Sequence, residues 1–225
     1  MTVDWNILAE AVAAHQRAAD IGVSVVAPAG ETWAAQGEVR FPSASTAKIP
    51  IMIAVYRMID CGEAALDDQH AVTREDKSHG SGVLKFMHAG LSVSLADLLY
   101  LMMAISDNTA TNMLIRLAGF EAINRVMREL GMTGSVLGRF MVGRLAVEGE
   151  QENLATPLDY TRVVASLFDA SAASPASCAA MVATLEKQYN ARRIGRFVPD
   201  GAGWRWGSKT GSNTGVTNDA GFVEG

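Results

Sequence analysis

Three short runs in this 225-residue chain carry residue types that could react together: Ser45-Thr-Ala-Lys48, Ser106-Asp-Asn108 and Lys209-Thr-Gly211. A serine hydroxyl is a poor nucleophile until a base takes its proton, and a residue three positions along a helix lies one turn away on the same face. Lys48 stands in that relation to Ser45. An ammonium cannot accept a proton, so Lys48 must be neutral for part of a reaction cycle, held so by burial and a second nearby cation, for which Lys209 is the candidate. The chemistry this allows is acyl transfer through a covalent serine intermediate. Gly211 would let a substrate lie close to its strand, because a side chain there would intrude. Each run also has an ordinary reading. Ser45 and Ser106-Asp107 could cap helices, Lys48 could snorkel, and Lys209-Thr-Gly211 could be a strand end before a turn.

These residues need elements to hold them. Residues 45–60 are apolar nearly all round, interrupted by Thr46, Lys48 and Arg57, with Gly62 as a stop, which predicts a central buried helix opening at Ser45. Ahead of it, Asp4 can cap a helix to about residue 19, and the β-branched segments 21–27 and 32–39, joined by Pro28-Ala-Gly30, predict a hairpin. Ser94-Leu-Ala-Asp97 reads as a capping box for a helix to residue 105, and further helices are predicted at 109–117 and 121–130. Residues 131–155 are Gly-rich and lack periodicity, which predicts a long functional loop. Thr156-Pro157 caps the next helix, and another lies near 176–187. A strand at 204–210, a turn at 212–215 and a strand at 216–223 close the pattern. Strands, many helices, then strands predict an α+β fold: one antiparallel sheet flanked by helices, with an all-helical subdomain inserted. The boundaries are a single domain over 1–225, with sheet parts at about 1–42 and 190–225 and helical part at about 43–189.

The three runs, in this order, resemble the signature of the class A β-lactamases and penicillin-binding proteins. Flanking stretches extend the likeness over nearly the whole chain: Phe41-Pro-Ser-Ala-Ser-Thr-Ala-Lys48, Gly80-Ser-Gly-Val-Leu84, Ser106-Asp-Asn-Thr-Ala-Thr-Asn112 and Glu152-Asn-Leu-Ala-Thr-Pro157. The resemblance implies that Ser45 is acylated with Lys48 and Ser106 as its catalytic partners, Ser106 relaying a proton to the leaving nitrogen. It further implies that Asn108 bonds the substrate's side-chain amide and that Lys209 and Thr210 receive its carboxylate beside Gly211. The backbone N–H groups of Ser45 and Ser212 would form the oxyanion hole. The implied substrate is a small β-lactam or a peptidoglycan-like peptide, with no cofactor and no metal. A D-alanyl-D-alanine carboxypeptidase, an esterase or a penicillin-recognising sensor that does not turn over are the alternatives.

The sequence departs from that family in two places. Class A β-lactamases carry an Arg-x-Glu-x-x-Leu-Asn pattern whose glutamate activates the deacylating water. Here Arg139-Phe140-Met141 falls where arginine, an aromatic and the glutamate would be, and Leu145 falls where the asparagine would be. Met141 cannot act as a base. Glu148, Glu150 and Glu152 follow in the loop, as substitutes or as solvated charge. Fast acylation with slow release is therefore expected. The chain also stops at Gly225, where relatives continue with a strand and a helix, so the sheet is expected to lack its last strand.

Composition narrows the remaining classes. The net charge of −5 with interspersed signs offers no basic stripe for nucleic acid. The longest apolar stretch, 49–55, falls far short of the roughly 20 residues a bilayer requires. Cys61 and Cys178, and His15, His70, His79 and His88, have no metal-ligand spacing. The first fourteen residues contain Asp4 and Glu10 but no Lys or Arg. The expected location is the periplasm or the exterior if a leader has been removed, and the cytoplasm if Met1 is the true start. A monomer is expected.

Overall fold

The computed structural model describes residues 4–199 and 203–225. Helix α1 (Trp5–His15) is capped by Asp4, whose side chain accepts from Asn6 N, and it ends short of residue 19. The hairpin follows as β1 (Val23–Val26) and β2 (Thr32–Ala35), antiparallel with Val25 opposite Trp33. The two-residue strand β3 (Phe41–Pro42) then leads into a 3₁₀ turn over Ala44–Ala47, and α2 runs over Lys48–Asp60. Ser45 therefore lies in the 3₁₀ turn and Lys48 opens the α-helix, a one-turn correction to the expected start. Pro50 explains part of it. In the first turn of α2 its missing N–H has no intrahelical partner to lose, and its fixed φ suits a helix start.

All residues of α2 from Lys48 to Tyr56 are buried, which makes it the axis of the molecule. Ile49, Ile51 and Ile53 are fully enclosed, each worth about 1.5–3 kcal/mol of apolar burial. Around α2 pack α3 (Leu95–Ala104), α4 (Asn108–Ala118), α5 (Phe120–Glu129) and α7 (Pro175–Leu185). The capping box predicted at Ser94 and Asp97 forms as expected. Strands β4 (Gln69–Ala71) and β5 (Ser92–Ser94) make a short ladder over this block. The long loop is pinned at its end by β6 (Leu154–Ala155), which pairs with β3, while Val136 bridges Leu154. Thr156 then caps α6 (Pro157–Phe168) by accepting from Asp159 N.

The last hairpin is β7 (Arg205–Asn213) and β8 (Val216–Glu224), and Lys209-Thr-Gly211 sits inside β7 rather than at its end. Both hairpins lean on α6 through β1 and β8. They remain separate two-stranded ladders, and no strand joins them among the described residues. The fold is α+β, with antiparallel strands against a helical block. Among the described residues no helix is long and apolar enough to cross a membrane.

Candidate active site

Ser45 reaches a cleft of about 330 Å³ that Asn108, Met141, Gly143, Asn153 and Asn213 also line. Its position is fixed from below. Ser43, buried, gives its N–H to Asn153 O at 2.7 Å and its hydroxyl to the same oxygen at 3.0 Å, and Thr46 Oγ1 donates to Ser43 O at 2.6 Å. Ala44 takes φ +46°, a left-handed conformation that a residue with a Cβ seldom adopts unless its surroundings enforce it. Gly211 of β7 packs against the same turn. A Cβ there would lie 2.9 Å from Ser43 O and 3.0 Å from Ser45 N. The glycine is therefore required by the backbone of Ser43 to Thr46, where the sequence suggested room for substrate, and it brings β7 alongside Ser45 N–H.

Lys48 is fully enclosed, and its Nζ lies 2.8 Å from Ser106 O, 2.9 Å from Ser106 Oγ and 2.9 Å from Asn108 Oδ1. Two of these oxygens can only accept. The third, the hydroxyl, can accept from an ammonium or donate to the lone pair of a neutral amine, so the arrangement accommodates both charge states. Burial lowers the Lys48 pKa well below that of an ordinary lysine, the Lys209 cation lowers it further, and Asp107 opposes them. No hydrogen bond joins Lys48 to Ser45; the buried acceptors on Ser106 and Asn108 hold the amine instead. If Lys48 is the base for acylation, the rate rises with pH on a limb displaced below the ordinary lysine range. Removing the neighbouring cation raises the Lys48 pKa, so Lys209→Met is expected to move that limb to higher pH in single-turnover acylation measurements.

The Ser106-Asp-Asn108 run links two walls. Ser106 takes φ +60°, and Asp107, fully buried, caps α4 through Ala110 N while accepting Val83 N and Leu84 N from the facing loop. Gly82 permits that approach, because a Cβ there would lie 2.2 Å from Asp107 Cγ. Asp107→Ala strands three backbone donors in the interior, and the expected cost is about 3 kcal/mol, read as a lowered Tm. Asn108 spends Oδ1 on Lys48 and one N–H on His79 O at 2.8 Å, which leaves one N–H for a ligand.

Lys209 is also fully enclosed and donates to Thr210 O at 2.8 Å. Its pKa is lowered to about 7 by burial, with Asp219 raising it and Arg193 lowering it. It thus bears on the cleft from beneath the surface, as a cation below about pH 7. A cation that sequence reasoning missed lies against β7. Arg193 Nη1 donates to Gly211 O at 2.7 Å and to Asn218 O, and Nη2 donates to Ser212 Oγ at 2.5 Å. Five N–H groups are available on a guanidinium, so Nε–H and one Nη2–H remain unspent. Arg193 lies in an aperiodic stretch between arginines, and no spacing rule marks it. Ser212 is exposed on the same strand, and Thr210 is buried just before it.

The opposite wall is the loop containing Met141. Asn112 clamps its backbone, accepting Met141 N at 2.8 Å and donating to Met141 O at 3.0 Å. Two of the three loop carboxylates are paired with arginines. Glu152 accepts Arg139 Nη2 at 3.1 Å, Arg139 Nε at 3.3 Å, Ala146 N at 2.6 Å and Asn153 N at 2.8 Å. Glu150 is held by Arg144 and Arg139, and its pKa is lowered to about 2 by the Arg144 hydrogen bond first. Glu148 is exposed. These pairs tie the loop, and the Arg144 hydrogen bond keeps Glu150 ionised and a weak base near neutral pH.

A model of the beta-lactamase enzyme family matches residues 6–225. Among solved structures, the chain is similar to a beta-lactamase from Sphaerobacter thermophilus, with TM-score 0.96, 54% identity, and coverage of 99% of this chain and 84% of the other. It is also similar to an ancestral class A beta-lactamase, with TM-score 0.86, 30% identity, and coverage of 97% and 85%. Beta-lactamase BRO-1 of Moraxella catarrhalis is 25% identical over 87% of this chain, which spans 63% of that relative's length.

Proposed function

Because the chain belongs to the beta-lactamase enzyme family, we propose that it is a serine acyl hydrolase whose Ser45 is acylated by a β-lactam and which releases the product slowly. The observation that carries the reading is the buried Lys48 amine, bonded to Ser106 and Asn108 one helical step from an accessible serine. In the neutral form Lys48 takes the Ser45 proton, and Ser106, 2.9 Å from the amine, passes a proton to the leaving nitrogen. The N–H groups of Ser45 and Ser212 face the developing oxyanion. Asn108 offers its free N–H to the acyl side chain. The substrate carboxylate is met by Arg193, Thr210 and Ser212, with Lys209 as the charge behind them.

Slow release rests on a second observation, that Glu150 and Glu152 on the loop wall are both paired with arginines, and it favours the non-turnover sensor over an efficient resistance enzyme. A peptide carboxypeptidase or esterase would use the same first step. Intact-mass measurement after mixing with benzylpenicillin separates the readings: a persistent adduct of one ligand mass is expected, on the tryptic peptide 41–48. Absence of any adduct would overturn the acylation reading, and loss of the adduct within a second would overturn slow release.

A further inference from the structure

Arg193 is delivered to the site by a segment that is largely exposed. Its 3₁₀ turn, Ile194–Phe197, buries no side chain, and Arg192, Arg196 and Phe197 are exposed. Among the described residues, two contacts besides the guanidinium help to seat it. Gly195 lies flat on Trp206, where a Cβ would come within 2.5 Å of the ring, and Ile194 N donates to Asp219 Oδ2 at 3.0 Å. Asp219 stands opposite Thr210 in the β7–β8 register, so it joins the arginine segment to the strand that would grip the substrate. Its other oxygen is buried without a hydrogen-bond partner among the described residues. Such an orphan acceptor is costly, and a side chain serving its own solvation would turn to pair it. The conformation kept is the one that ties down the residue after Arg193.

We infer that Asp219 is a positioning residue for substrate anion recognition: it anchors the segment that holds Arg193 against β7, and thereby sets the preference for substrates carrying a carboxylate beside the scissile amide. The inference rests on the proposed acylation of Ser45 and adds to it the residue that preorganises the anion contact. Asp219 touches neither Lys48 nor Ser106 and is not assigned a proton.

The test compares benzylpenicillin with its methyl ester, which keeps the reactive ring and removes the anion. Single-turnover acylation over a range of concentrations gives the affinity of the initial complex and the acylation rate separately. In Asp219→Ala the acid is expected to lose about tenfold in affinity, with its acylation rate and both ester constants changed by less than about threefold. Asp219→Asn keeps an acceptor for Ile194 N, and rescue to within about threefold of the native chain is expected. Equal losses for acid and ester, or an unchanged acid in Asp219→Ala, would overturn the inference. A native chain that acylates with no preference for the acid would also overturn it, whereas a native chain that forms no adduct with either compound would defeat the underlying reading first.

Discussion

Met141→Glu is expected to shorten the lifetime of the penicillin adduct by about 10²-fold, at the lower end of what a positioned general base contributes. The position is chosen by geometry. Met141 lines the same cleft as Ser45, and its backbone is fixed on both sides by Asn112, so a replacement side chain starts from a defined place. Met141 is only 7% exposed, and partial burial raises a carboxyl pKa toward neutrality, which suits a base that must take a proton from water. Glu150 and Glu152 are instead spent on arginines. Glu150 is held near pKa 2 by Arg144, and Glu152 already accepts from Arg139 and two backbone N–H groups. Glu152→Gln is accordingly expected to loosen the loop and leave adduct lifetime within about threefold. The check is the decay of adduct mass after excess penicillin is removed. A long-lived adduct in Met141→Glu, or a much longer one in Glu152→Gln, would assign the water-activating role elsewhere.

This reading of the loop was partly available from sequence, and the boundary of what was available has physical causes. Helical spacing paired Ser45 with Lys48, and the resemblance of the three runs to a family signature joined Ser106 and Lys209 to them. The burial of Lys48 followed from the apolar run around it, and Lys209 was named as a candidate neighbouring cation. The absence of a glutamate at position 141 could be read directly. Pairing across the chain could not. That Glu152 is spent on Arg139, or that Arg193 folds back onto Gly211 and Ser212, depends on contacts across an aperiodic loop and a surface segment that leave no periodic trace. The short ladders β3–β6 and β4–β5 escaped for the same reason, since two- and three-residue strands carry too little alternation to register. Gly211 was recognised as a close-approach residue, but the backbone it accommodates is that of Ser43 to Thr46.

Lys48→Met is expected to lower the acylation rate by about 10³-fold for benzylpenicillin and for its methyl ester alike, while the protein stays folded. The two compounds should respond together because the amine serves the nucleophile and the leaving group, and neither role involves the substrate's carboxylate. Methionine fills nearly the same volume, so the packing of α2 persists, although Ser106 O and Asn108 Oδ1 each lose a donor. Against that loss stands the removal of a buried amine whose charge is opposed by Lys209. The pH dependence of stability reads that opposition independently of catalysis. Lys48 and Lys209 both have pKa values lowered in the folded chain, Lys209 to about 7, against 10.5 for a free lysine. Between those values the unfolded chain binds protons that the native chain has released, so native stability rises as pH increases from about 7 toward 10.5. Lys48→Met removes one of the two titrations and is expected to make that rise shallower, as measured by denaturant midpoints across the range. If acylation in Lys48→Met fell less than tenfold, or its stability profile matched the native one, Lys48 would be neither the base nor a buried amine held neutral, and the proton of Ser45 would need another acceptor.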